Sequence, residues 1–223
     1  VWYNFTGNGY LITASLCASA FDTKIQVYEG ACGALTCVSG NDDSCGLQSE
    51  TAFASTNGTE YYIYVYGYGT TTGNYTLDIT CVTPPPPPTN DECVDAIDLT
   101  VNQDFNCAIV TAGSISGATA SADDNATCGG TANNDVWYTF TADSETHIVS
   151  LLNIVGSTTD MYMSIFEGAC GAFTEVECSD PESVAIPNLT IGTQYTVRVY
   201  TWNSDPIADV AFDICIGTPP PPI

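Results

Sequence analysis

Two stretches of the chain carry nearly the same words. "VWYNFT" begins at Val1 and "VWYTFT" at Val136, 135 residues on, and the proline runs at Pro84 and Pro219 keep the same separation. Between these marks the order of segments is also shared. "VYEGACGALTCV" (Val27–Val38) answers "IFEGACGAFTEV" (Ile165–Val176), and "GTEYYIYVYGY" (Gly58–Tyr68) answers "GTQYTVRVYTW" (Gly192–Trp202). A repeat of this length places equivalent apolar positions in the same order twice, so it predicts two modules of one type.

Each module reads as all-β. Short apolar alternations are separated by clusters of Gly, Asn, Asp and Thr, without a sustained 3.6-residue period. The expected strands of the first copy are residues 1–6, 10–16, 24–29, 51–55, 60–66 and 75–81. Those of the second are residues 93–99, 108–114, 135–141, 146–152, 161–167, 183–186, 194–201 and 207–216. About eight strands per complete copy suits an antiparallel sandwich of jelly-roll type. Pro84–Pro88 cannot continue a sheet, because proline lacks the N–H donor. Five prolines in polyproline II form a stiff spacer of roughly 15 Å. The expected organisation is a first β-sandwich over residues 1–83, a polyproline linker over 84–89, a second sandwich over 90–217 and a second spacer over 218–223.

The two copies are not equal. Residues 90–134 stand ahead of "VWYTF" in the second copy and have no counterpart in the first. The first sandwich is therefore expected to lack its N-terminal strands and to be completed from elsewhere. The donor would be a preceding part of a longer repeat chain, or a neighbouring copy of the protein giving strands head to tail.

Composition narrows the chemistry. Twenty-six acids face only Lys24 and Arg198, a formal charge of −24. Nucleic acid is excluded as a partner, since phosphate binding requires cationic side chains. No apolar run is long enough for a membrane-spanning helix, so membrane insertion is not expected. Eleven cysteines, with no zinc-type spacing and a single histidine, His147, indicate disulfides and an extracellular or cell-surface location. The expected bridges are Cys32–Cys37 and Cys17–Cys45 in the first copy and, favoured by its short loop, Cys170–Cys178 in the second. Cys81 is expected to find no partner within its copy. Asn4, Asn57, Asn74, Asn125 and Asn188 lie in N-x-T sequons, candidate carriers of covalent N-glycans.

The phrases "NDECVDAIDL…VWYTF", "VYEGACGALTCVSGNDDSCG" and "GTEYYIYVYGY…GNYTLDI" resemble the bacterial pre-peptidase C-terminal domain, a module found in tandem in large secreted surface proteins and adhesins. The resemblance implies a jelly-roll-like sandwich with no catalytic activity of its own.

A search for catalytic groups returns little. His147, the only histidine, reads as a structural or exposed residue of a strand, and no phosphate-binding glycine loop is present. Most acids sit in turns, where Asx residues are favoured for their backbone hydrogen bonds. Calcium takes six to eight oxygens from such turns, which makes Asp22 and Asp42, with their repeat positions Asp160 and Asp180, the candidate ligands. One strand is more informative. In "EYYIYVYGY", Tyr61, Ile63 and Val65 form one row, matched by apolar residues in the second copy and assigned to the core. Tyr62, Tyr64, Tyr66 and Tyr68 form the other row, a candidate surface for glycan stacking or subunit contact. These features lead to a non-catalytic structural or adhesive repeat protein, a building block of a glycosylated extracellular fibre that partners copies of itself. The alternatives are a carbohydrate-binding module or an accessory domain of a secreted hydrolase.

Overall fold

The computed structural model describes residues 1–121, 128, 129, 132, 134–202 and 209–220. The chain is all-β, with antiparallel sheets stacked into sandwiches, and it divides into two compact units, Val1–Pro84 and Pro85–Ile223.

Unit 1 has seven strands: β1 (Trp2–Thr6), β2 (Leu11–Ser15), β3 (Thr23–Ala31), β4 (Ala34–Asn41), β5 (Glu50–Ala54), β6 (Glu60–Gly67) and β7 (Asp78–Val82). One sheet runs β1-β6-β3-β4 and the other β5-β2-β7. Alternation sets the core: Ile12, Ala14 and Leu16 from β2 and the segment after it meet Ile25, Val27, Tyr61, Ile63 and Val65 from the facing sheet. The row Tyr61–Ile63–Val65 points inward, and the tyrosine row of β6 points outward.

Unit 2 adds two short strands. After a 3₁₀ turn at Cys93–Asp95 come β8 (Ile97–Asp98) and β9 (Thr111–Ser114). They are followed by β10 (Val136–Thr141), β11 (Thr146–Gly156), β12 (Met161–Ala169), β13 (Ala172–Ser179), β14 (Ser183–Pro187), β15 (Gln194–Thr201) and β16 (Val210–Gly217). The sheets are β13-β12-β15-β10-β8 and β14-β11-β16-β9. Without β8 and β9 this is the arrangement of unit 1. Both added strands come from residues 90–134, and each extends an edge: β8 runs parallel beside β10 and β9 antiparallel beside β16. The same segment fills the core, where Leu99, Ile115 and Ala118 join Tyr138, Phe140, Val149 and Ile214.

Some local features depart from the strand expectations. β4 and β13 pair with β3 and β12 as hairpins; their residues are largely exposed or half-buried, so no clean apolar alternation marks them. Residues 93–99 form a 3₁₀ turn and a two-residue strand in place of one long strand. Pro85 and Pro86 pass over Gly117, where φ is +77° and a Cβ would meet both proline carbonyls. Both units share one corner: the Tyr61 hydroxyl accepts from the Thr56 amide at 2.9 Å, as that of Tyr195 does from Thr190.

Four disulfides are formed: Cys17–Cys45 in unit 1, and Cys93–Cys170, Cys107–Cys215 and Cys128–Cys178 in unit 2. Cys32, Cys37 and Cys81 are free and exposed. This corrects two expected pairs. Cys170 lies in the β12–β13 turn and Cys178 near the far end of β13, and a strand advances about 3.4 Å per residue, so the short loop in sequence spans more than 20 Å. Cys32 and Cys37 are separated in the same way, one in the β3–β4 turn and the other along β4.

Candidate functional site: an aromatic face, open in unit 1 and covered in unit 2

The outer face of the β1-β6-β3 sheet carries the tyrosine row of β6. Trp2 lies opposite Tyr64 in the ladder, and Tyr64 lies opposite Gln26. Their pleat places Trp2, Tyr64 and Tyr66 on one surface. Trp2 stacks on Tyr64 with ring centroids 4.4 Å apart, and Tyr64 stacks on Tyr66 at 4.6 Å. Tyr28 tilts against Trp2 at 5.7 Å, its hydroxyl donating to Gln26 Oε1 at 2.7 Å. Tyr62 is half-buried, and Tyr68, at the end of the row, packs its ring under Lys24 Nζ. Trp2 remains 51% exposed.

The equivalent face of unit 2 is buried around Trp137, Arg198 and Tyr200, and only its end, at Trp202, is exposed. Trp137 is 0% exposed. Arg198 stands where unit 1 has Tyr64, its guanidinium 5.2 Å from the Trp137 ring centroid. Arg198 Nε donates to Asp135 Oδ2 at 2.9 Å, with both side chains fully buried. Asp135 Oδ1 accepts from the Ser121 amide, and the Trp137 indole donates to Ser121 Oγ. Tyr200, the counterpart of Tyr66, donates to the Gly129 carbonyl. Cys93 packs with Trp137 and Phe166, and Phe173 stacks on the Trp137 ring. Ser121, Gly129 and Cys93 all belong to residues 90–134. Among the described residues, unit 1 has no segment doing the same. Covering a half-exposed tryptophan removes roughly 100 Å² of apolar surface, worth about 2–3 kcal/mol.

The other expected site residues are dispersed. Asn4, Asn57, Asn74 and Asn188 are exposed, and Asn125 lies outside the described residues. Asn4 Nδ2 donates to Glu60 Oε1 at 2.9 Å. Asp22, Asp42 and Asp43 bring carboxylate oxygens within 4.8 Å of one another. Lys24 Nζ already holds Asp42 at 2.8 Å, and desolvation, with Asp43 and Asp42 nearby, raises the Asp22 carboxyl above its usual range. In unit 2, Asp160 and Asp180 flank Tyr162, whose phenol is raised by burial and then by Asp180; among the described residues they gather no third metal-ligating side chain. His147 is a fully buried core residue. Its Nε2 accepts from the Asp143 and Ser144 amides, its Nδ1 faces the Gly217 carbonyl, and burial pulls its pKa down. Burial pushes the Tyr138 phenol up to about 12.

Tyr64 and Tyr66 were legible as an outward row. Trp2 was missed as their partner, because its twin Trp137 matches it in sequence and not in exposure. Asp135 was read as a turn residue; the adjacency of an acid to the second VWY segment, with a single arginine in the chain, was the available signal.

These sandwiches are edged by short strands and carry their distinctive chemistry on one outer face. Residues 89–214, more than half of the chain, match the family described as "Galactose binding domain-like", in its T9SS-associated form. The chain belongs to the galactose binding domain-like family. Its disulfides fit the oxidising, extracellular setting of a secreted protein, and no helix among the described residues is long and apolar enough to cross a membrane. No curated protein matches this galactose binding domain-like chain. Among solved structures it is similar to the periplasmic inhibitor of g-type lysozyme PliG from Aeromonas hydrophila, at 15% identity over 54% of this chain and 98% of that one, with a TM-score of 0.30. It is also similar to the tandem CBM51 modules of the family 98 glycoside hydrolase Sp3GH98 from Streptococcus pneumoniae SP3-BS71, at 9% identity over 97% and 80% of the two chains, TM-score 0.26. At such TM-scores these likenesses bear on neither fold nor function.

Proposed function

We propose that the chain is a non-catalytic building block of a glycosylated extracellular fibre or filament assembled from repeated modules. One observation carries this reading: two sandwiches of the same strand order follow one another, each ending in a proline run at the matching position. The resemblance to modules of large surface proteins agrees with it. A head-to-tail contact between repeats is heterologous, so it propagates into an open filament and does not close as a dimer. Electron microscopy and sedimentation of material purified from its source test the proposal. Filaments with a repeating two-module unit are expected; a monomer at high concentration would remove it. Intact mass exceeding the bare polypeptide is expected from N-glycans at the sequons.

A second reading is favoured by the exposed stack of Trp2, Tyr64 and Tyr66. Flat aromatic rings with polar tips receive the apolar face of a sugar, and the family's description names galactose. In this reading unit 1 is a carbohydrate-binding module. Retention on a glycan array that is lost on Tyr64→Ala supports it, and an array without retained glycans disposes of it.

A further inference from the structure

Pro84–Pro88 join the two repeats, and a proline run is commonly a rod in water: polyproline II makes no internal hydrogen bonds and leaves its carbonyls to solvent. Here the run is occupied. Pro85 to Pro88 belong to unit 2, and two of their carbonyls rest on its surface. A Cβ on Gly117 would stand 2.6 Å from the Pro85 carbonyl oxygen and 2.8 Å from that of Pro86. Only glycine admits so close an approach of another backbone. Gly117 sits in a turn that the Ala118 amide closes onto the Ile115 carbonyl at 2.9 Å, and its φ of +77° is what a type II turn requires at that place. Ile115 and Ala118 are both buried, so the core fixes this turn from beneath.

The downstream end of the run is tied as well. The Asp91 amide donates to the Pro88 carbonyl at 3.2 Å. Asp91 in turn holds Thr119, two residues past the glycine: its Oδ1 accepts from the Thr119 amide at 2.7 Å and its Oδ2 from the Thr119 hydroxyl at 2.8 Å. The Ser121 hydroxyl donates to the Asp91 carbonyl. Beside it, Asn90 makes a two-way rung with Trp137. The Trp137 amide donates to the Asn90 carbonyl and Asn90 Nδ2 donates to the Trp137 carbonyl, both at 2.9 Å. Residues 85–91 therefore lie along residues 115–121 with a seat at each end. A carboxylate taking two donors is a strong anchor, and a polyproline II segment loses little entropy on docking because its φ angles are already set.

We infer that unit 2 has a binding site for a polyproline II segment, floored by the Gly117 turn and closed by Thr119, and that the run entering the unit fills it. The prolines are then an arm of unit 2, and the first free joint of the chain lies ahead of Pro85. The inference stands apart from both readings above, because it concerns unit 2 alone and holds whether the chain assembles or binds a sugar.

Nuclear magnetic relaxation of the isotope-labelled full chain tests it. The backbone order parameters of Pro85 to Pro88 are expected at about 0.85, as in β10; values below about 0.6, those of a free linker, overturn the inference. Gly117→Asn keeps the positive φ, which asparagine tolerates, and sets a Cβ against the two proline carbonyls. In that variant Pro85 and Pro86 should fall to linker values, and the Asp91 amide should exchange with solvent about tenfold faster or more. The β12 and β15 amides should keep their protection, which separates release of the run from unfolding. Unchanged proline order in Gly117→Asn, with those amides still protected, overturns the inference. If that variant does not fold, Thr119→Val decides. It loses the hydroxyl bond to Asp91 and leaves the turn alone, so faster exchange of the Asp91 amide is expected, and an unchanged rate overturns the inference.

Discussion

Trp2 and Trp137 occupy the same place in the same motif, yet one is half exposed and the other inaccessible to solvent. The strands beneath them pair in the same way, since Trp2 faces Tyr64 across β1 and β6 as Trp137 faces Arg198 across β10 and β15. The difference lies in what covers them. In unit 2 the segment 90–134 supplies two edge strands, three core side chains and the lid on the aromatic face. Unit 2 thus combines a seven-strand body with a covering segment, and the burial of Trp137 depends on that cover.

The sharpest break in that comparison comes from the tryptophans. Trp137→Ala removes a fully buried side chain and should cost unit 2 about 3–5 kcal/mol. The same change at Trp2 should cost unit 1 about half as much, roughly 1–2 kcal/mol, because half of that side chain is already exposed. Hydrogen exchange of the β15 and β6 amides reads the two units separately; equal losses would show that Trp2 is covered in solution.

Next comes the ion pair. Asp135→Ala leaves Arg198 buried without its carboxylate and should destabilise unit 2 by about 3 kcal/mol or more, whereas Tyr64→Ala at the matching place in unit 1 should change stability far less. Urea unfolding of each variant checks this.

A smaller effect is pH-dependent. Burial lowers the folded-state pKa of His147, so below about pH 6.5 the unfolded chain takes up the proton first. Unit 2 should hold its full stability above that pH and lose some as the pH falls through it. The variant His147→Ile, which copies Ile12 of unit 1, should lose that part of the acid sensitivity; an unchanged pH profile would assign the effect to other groups.

The smallest effect is expected at Lys24. Its pair with Asp42 is partly exposed, so Lys24→Gln should leave the unfolding midpoint of unit 1 almost unmoved.

How far the sequence reached follows from the same contrast. Period-2 alternation in "EYYIYVYGY" sorted Tyr61, Ile63 and Val65 from the outward tyrosines, because side-chain direction in a strand is a local property. Repetition revealed two modules of one order. β4 and β13 escaped because an edge strand with a largely solvated surface need not alternate. Bridges were misjudged for a related reason: in a hairpin, residues eight apart in sequence can be a strand length apart in space, while Cys107 and Cys215 meet across the whole module. The exposure of Trp2 was illegible because it depends on a covering segment, and no pattern within "VWYNFT" reports on that.

The Cys107–Cys215 bridge, with a sequence separation of 108, has a mechanical consequence. When unit 2 is pulled at its flanking proline runs, tension enters through residues 90–107, crosses the sulfurs and leaves through residues 215–218, so nearly all of the sandwich lies outside the load path. The slack that can be drawn out is about 70 Å of extended chain, however much of the interior melts. Unit 1 holds only the Cys17–Cys45 loop, with a separation of 28, so most of its length can pay out. In single-molecule stretching, oxidised unit 2 should behave as a nearly inextensible link and unit 1 as the compliant one; a long unfolding step from oxidised unit 2 would contradict this.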